Sequence, residues 1–164
     1  MVSTLNVSRA KIVQEATYFN LLGAAQNAVW TFVRAACENA SQFRFKTINV
    51  FDRIPERLTQ DVGFPFIVVP IPNTSNERLT YTMERTYVSF DIEIWIKDTK
   101  TIYLVDYIKN ALVQKRDFLD YQLTLHQFLQ TEGALDVITL NDGTIIQRYI
   151  LTVQFEWIGN PLTQ

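Results

Sequence analysis

The chain has 164 residues, 48% hydrophobic, 13% aromatic and 20% charged, a length that suits one domain and a composition that belongs to globular rather than disordered proteins. Lys and Arg total 15 against 17 Asp and Glu, for a formal net charge of −2, so no global positive field exists to grip nucleic acid by counterion release. Cys37 is the single cysteine, which excludes an internal disulfide and a thiolate metal cluster within one chain and fits a reducing cytoplasm.

The charge is uneven. Residues 1 to 50 carry Arg9, Lys11, Arg34, Arg44 and Lys46 against Glu15 and Glu38, whereas residues 101 to 164 carry more acidic than basic side chains. Such a gradient gives a ring or stack two unlike faces. Met1 to Ser8 lacks a basic start followed by an apolar run, and no window reaches the roughly 18 apolar residues of a membrane span. The sequence therefore reads as soluble and unprocessed, with no membrane partner.

From about Ser8 to Asn39, Ile12, Ala16, Phe19, Leu22, Ala25, Val29, Phe32 and Ala36 recur at steps of three or four, the spacing of one side of an α-helix. Gly23 weakens this long helix by about 1 kcal/mol relative to Ala and marks a point for a kink or a break. Thr47 to Phe51 alternates as a strand and runs into the polar loop Asp52-Arg53-Ile54-Pro55-Glu56-Arg57. Phe64 to Pro72 has a β-branched centre, and its prolines, which lack ladder donors, belong at strand ends or a sheet edge. Asn73 to Arg78 reads as a turn or exposed loop.

Thr86 to Lys97 is the clearest strand: Val88, Phe90, Ile92, Ile94 and Ile96 point one way, and Ser89, Asp91, Glu93 and Trp95 the other. Asp98 or Thr99 caps the next helix, whose stripe of Ile102, Val105, Ile108 and Leu112 ends near Lys115. Residues 116 to 133 suit a strand and a helix equally and stay undecided. Leu135 to Leu140, Asn141-Asp142-Gly143 and Thr144 to Trp157 form a β-hairpin, because Asp-Gly supplies the positive backbone angles of tight turns. Strands joined by hairpins, with two intervening helices, predict an α+β fold: a mostly antiparallel sheet with a long N-terminal helix and a second helix on one face. Residues 1–164 read as one domain, and the core is expected to contain Val88, Phe90, Ile92, Ile94, Leu151, Val153 and Phe155.

Residues that could carry chemistry have simpler readings. Asp91 and Glu93 sit side by side on a strand, as a glycosidase or metal site requires, but outward acids ordinarily pair across strands with bases such as Arg148. His126, the only histidine, has no metal-ligand or triad signature near it. Cys37 lies among Ala35, Ala36 and Ala40, where a buried inert thiol is the default. The five glycines are scattered singly, so no phosphate loop appears. Arg44, Lys46, Arg53 and Arg57 with Phe43, Phe45 and Phe51 form a basic and aromatic stretch of the kind that holds single strands, diluted by Asp52, Glu56 and Asp61. No catalytic residue, metal site or cofactor is expected. Trp95 admits two readings: an exposed indole suited to a subunit contact, or one covered by a loop of its own chain.

The order of elements, with D-R-I-P at 52 to 55, G-F-P-F-I-V-V at 63 to 69 and F-D-I-E-I-W at 90 to 95, resembles the tail terminator and tail-completion proteins of tailed bacteriophages, the head-tail joining class, over about residues 9 to 158. The resemblance implies a structural virion protein, assembled in the host cytoplasm and located at the neck. There it would close into a homo-hexameric ring at the head-proximal end of the tail, stop polymerisation of the tail tube protein and meet the head-tail connector. DNA would pass through the ring without specific binding, past walls whose acidity lets a polyanion slide. It implies no catalytic residues. The polar stretch Asn73 to Arg85 is expected as an exposed hairpin or loop that meets a neighbouring ring. Trp95, Asp91, Glu93, Arg53, Arg57, Glu77 and Arg78 are the candidate subunit or partner contacts. Two alternatives remain: another connector or neck protein, and a small ligand-binding or enzymatic α+β domain, which would need a pocket with converging polar groups.

Overall fold

The computed structural model describes residues 21–38, 48–55, 63–80, 83–97, 103–118, 123–131, 136–139 and 141–159. Within them the chain forms helices α1 (Leu21–Glu38) and α2 (Tyr103–Lys115) and eight strands. The strands are β1 (Asn49–Phe51), β2 (Phe66–Val68), β3 (Asn73–Arg78), β4 (Glu84–Ile96), β5 (Asp117–Phe118), β6 (Leu123–Thr131), β7 (Asp136–Thr139) and β8 (Ile145–Gly159). The fold is α+β. Residues 8–20 of the expected first helix, and the capping candidates Asp98 and Thr99, lie outside the described residues.

β4 and β8 are the spine of the sheet, paired antiparallel without interruption from Glu84↔Gly159 to Ile96↔Gln147. Because β8 occupies one edge of β4, both β2 (against Glu93 to Trp95) and β3 (against Glu84 to Ser89) must lie along the other. Pro70 and Pro72 fall between these two partners, where no ladder donor is required. β6 and β7 likewise share the second edge of β8. Only β1 and β2 pair in parallel among the described strands.

The alternation in β4 is realised as read. Val88, Phe90, Ile92, Ile94 and Ile96 are fully buried beneath both helices, joined by Leu151, Val153, Phe155 and Trp157 of β8. Phe90 and Phe155 meet edge to face, with ring centroids 5.9 Å apart. The helices are tied to each other by the Tyr107 hydroxyl, which donates to the Ala36 carbonyl at 2.8 Å.

Two local readings are corrected, and one left open is decided. In α1, which has 18 residues and runs unbroken through Gly23, the buried face is Leu21, Ala24, Ala25, Ala28, Val29, Val33 and Cys37. The expected stripe is therefore rotated: Leu22 is 42% exposed. Small residues occupy several faces of this helix, so spacing alone does not choose among them, and the close approach of the sheet does. Asn73 to Arg78 is a strand rather than a turn or loop, since each residue pairs with β4 despite having no apolar alternation; its exposure and antiparallel pairing fit the hairpin that was the other expectation for Asn73 to Arg85. The undecided stretch after Lys115 is strand where it is described. Arg116 ends α2 in a left-handed conformation, φ 55°, a common way for a helix to stop. Its carbonyl then accepts from Leu125 N–H at 2.7 Å, starting the β5–β6 pair.

The predicted closing hairpin is present as β7 and β8, from Asp136↔Arg148 to Thr139↔Ile145. Gly143 has φ +85°, and the Asp142 carboxylate accepts from Thr144 N–H at 2.9 Å, which is the turn chemistry that Asp-Gly provides.

Candidate functional site

The helices cover one face of the sheet, so any surface that meets other molecules through the sheet uses its outer face or its edges. The outer residues of β4, read along the strand, are Arg85, Tyr87, Ser89, Asp91, Glu93 and Trp95, facing Ile158, Glu156, Gln154, Thr152, Ile150 and Arg148 of β8.

Trp95 is covered by its own chain, at 4% exposure. Its ring stacks on Phe66 of β2, with centroids 5.6 Å apart and planes 12° from parallel. The Arg148 guanidinium lies 5.6 Å from the indole centroid. The indole N–H donates to Glu93 Oε2 at 2.9 Å, while Arg148 Nη1 donates to Glu93 Oε1 at 3.3 Å. Phe66, Val68, Trp95 and Ile146 form a second small core on this face. An indole so enclosed has little surface left for a partner, which removes it as an exposed contact residue.

Asp91 and Glu93 have separate partners. Glu93 is bound by Trp95 and Arg148, whereas Asp91 is exposed and accepts from the Thr152 hydroxyl at 2.8 Å. For Glu93 this is the cross-strand pairing with Arg148 expected of an outward acid, and for Asp91 the cross-strand partner is a hydroxyl. Further along, Gln154 donates to Ser89 at 3.3 Å and accepts from Gln127 at 3.4 Å.

Near the far end of the sheet lies a cluster that sequence reasoning missed. Glu156 sits 3.3 Å from Arg85 Nε and 3.6 Å from His126 Nδ1, Arg85 reaches Glu77 at 3.4 Å, and the Tyr87 ring lies 5.1 Å from His126. His126 falls where the β6 register shifts between Leu125 and Gln127, and no sequence signal gives the position of such a bulge. Among the described residues, no group of three or more His, Cys, Asp or Glu side chains could hold a metal ion.

The remaining candidates are dispersed. Glu77 and Arg78 are on the exposed strand β3. Arg53 follows β1, two strands from β4 in sheet order, and meets Asp52 at 3.9 Å with 90% of its side chain exposed. Arg57 and the basic and aromatic residues Phe43, Arg44, Phe45 and Lys46 lie outside the described residues. Cys37 is buried, and burial, reinforced by the charge of Glu38, pushes its thiol up to about 12, so it is not a nucleophile near neutral pH.

An open groove of about 460 Å³ runs between α1 and β1, lined by Gly23, Gln26, Asn27, Trp30, Val50, Phe51 and Asp52. Two of its polar side chains serve the fold. Gln26 donates to the Val69 and Asp52 carbonyls at 3.1 and 3.3 Å, and Trp30 donates to the Val50 carbonyl at 3.2 Å. Among the described lining residues Asp52 is the titratable one. Among the described residues no helix is long and apolar enough to cross a membrane. No family model matches the chain, nor does any curated protein.

Proposed function

We propose that this protein is a structural component of the neck of a tailed bacteriophage, of the tail terminator type. It would form a ring at the head-proximal end of the tail that ends tube polymerisation and joins the tail to the head connector. The observation that carries the reading is the sequence resemblance through D-R-I-P, G-F-P-F-I-V-V and F-D-I-E-I-W, segments that lie at β1, β2 and β4 of the sheet. The character of the outer face fits it: among the described residues its polar groups pair laterally with one another, as suits a scaffold.

The tail tube protein and the connector are the partners this role requires, together with other copies of the chain. The hexameric ring rests on the resemblance, because the covered Trp95 lends it no support. Duplex DNA would pass through without being held, in keeping with a net charge of −2 and with the salt-dependent affinity that each Lys or Arg contact to phosphate would add.

The test is to image phage particles carrying a tagged copy of this chain and to add the purified protein to polymerising tail tube subunits. Label confined to the head-proximal tail end, with shortened or capped tubes, is the expected result. Particles without the label and tubes of unaltered length overturn the reading. Label on the connector side with unaltered tubes favours another neck protein instead.

A further inference from the structure

β3 is an edge strand with an exposed outer side. Among the described residues it pairs with β4 alone, its six residues are all exposed, and its register runs from Asn73↔Ser89 to Arg78↔Glu84 without a bulge. Natural proteins commonly blunt exposed edges with proline, lysine or a bulge, because the outward row of N–H and C=O groups is a template for another strand. Asn73 to Arg78 contains none of the three; Pro72 stands just before it, and its charge is confined to Glu77 and Arg78 at one end. The turn beyond it is stitched in place: the N–H groups of Leu79 and Thr80 donate to the Met83 carbonyl at 3.0 and 3.1 Å, and Met83 N–H donates to the Thr80 hydroxyl at 3.0 Å. The edge therefore has its shape before any partner arrives.

The side chains along this edge complement themselves. Within β3 one face carries Asn73, Ser75 and Glu77, and the same period of two, carried one step past each end of the strand, adds Ile71 beyond Pro72 and Leu79: apolar, polar, small hydroxyl, polar, apolar. Both ends are exposed, Ile71 at 67% and Leu79 at 40%. We propose that β3 pairs antiparallel with β3 of a second copy of this chain, about a two-fold axis at Ser75. Ser75 then faces its own counterpart, Asn73 faces Glu77, Ile71 faces Leu79, and on the opposite face Thr74 faces Asn76. No like charges meet. An axis at Glu77 would oppose two carboxylates, which is destabilising, and one at Asn76 would set Leu79 against Asn73. Only the Ser75 register matches apolar to apolar at both ends.

A two-fold contact uses one patch twice, whereas a six-membered ring joins two different patches. The β3 contact is thus separate from the ring and stands without it. A six-residue strand pair falls at the low end of interface sizes, below about 1,200 Å², so the pairing is weak in dilute solution and strengthens where copies are already held together.

The test uses the full chain. Ser75→Lys sets two ammonium groups across the axis, and Ser75→Cys sets two thiols there, with the buried Cys37 taking no part. Asp106→Cys, at an exposed position on α2, is the control. We expect concentration-dependent self-association of the wild type in sedimentation equilibrium. Ser75→Lys should weaken it about tenfold or more with an unchanged circular dichroism spectrum, and Ser75→Cys should form disulfide-linked dimer at least about tenfold faster than Asp106→Cys, since only like charges and thiols held opposite each other give these effects. A wild type that stays monomeric, a Ser75→Lys variant that associates like the wild type, or equal cross-linking of the two cysteine variants each overturns the proposal. A hexamer that survives Ser75→Lys without preferential cross-linking at residue 75 rejects the two-fold contact and leaves the ring standing. Preferential cross-linking without any ring does the reverse.

Discussion

Phe66 on β2 and Trp95 on β4 are directly opposite in the backbone register, and their rings stack 5.6 Å apart. The pair closes the outer face of the sheet where Glu93 and Arg148 bring charge close to apolar surface. The indole is consequently a part of the folded chain's own interior, and its loss is a loss of packing.

Trp95→Ala is expected to cost about 3 to 5 kcal/mol, the usual range for removing a large buried aromatic. A urea midpoint shifted by that amount, with self-association unchanged once the variant is compared under folding conditions, is the predicted outcome. An unshifted midpoint with lost association would make Trp95 a contact residue after all.

Phe90→Ala tests the other face. Phe90 is fully buried beneath the helices and meets Phe155 edge to face, so its truncation should likewise cost about 3 to 5 kcal/mol. The same urea titration measures it, and a midpoint equal to the wild type's would contradict the assignment of the inner face.

Glu93→Ala and Asp91→Ala should differ although the two carboxylates are neighbours on one strand face. Glu93 satisfies both the Trp95 indole N–H and the Arg148 guanidinium, so its loss should cost about 1.5 to 3 kcal/mol, as for a charged hydrogen-bond partner removed from partly buried groups. Asp91 is exposed and accepts from Thr152, so its loss should fall within about 0.5 kcal/mol of the wild type. Thermal or urea unfolding of the two variants side by side decides it, and equal costs would show that the Glu93 contacts do not hold in solution.

Cys37 makes stability fall at alkaline pH. Its thiol stays protonated in the fold up to about 12, against an ordinary value of 9.0, so between these limits the unfolded chain releases a proton that the folded chain retains. The contribution is full below pH 9.0 and is lost as pH rises toward 12. The stability difference between wild type and Cys37→Ala should therefore shrink or reverse from about pH 8 to about pH 10.5, whereas a pH-independent difference would contradict the burial of the thiol. Near pH 8 a thiol reagent should modify Cys37 only as fast as the chain opens.

The class of the fold and the orientation of its spine were legible in the order of residues alone. In β4 and β8 the apolar residues alternate with polar ones over long runs, and a period of two assigns inside and outside without knowledge of any partner. The Asp142-Gly143 turn was legible for the same reason, since its backbone demands are local. The pairing of an outward acid with Arg148 could be anticipated as well, because a long guanidinium side chain reaches acids on its own face both opposite and diagonal to it.

Other features depend on contacts between residues far apart in the chain. β3 has no apolar alternation and owes its strand geometry to hydrogen bonds with the backbone of β4. Leu21 rather than Leu22 is buried in α1 because an alanine-rich helix offers several faces and the sheet selects the one that packs most closely. Trp95 is covered because Phe66, distant in sequence, lands opposite it. Each of these depends on which strand lies beside which and in what register, and a one-residue slip would send every side chain to the other face. Local spacing carries the period of a strand but not the identity of its neighbour, so the outer surface of this protein was set by long-range pairing.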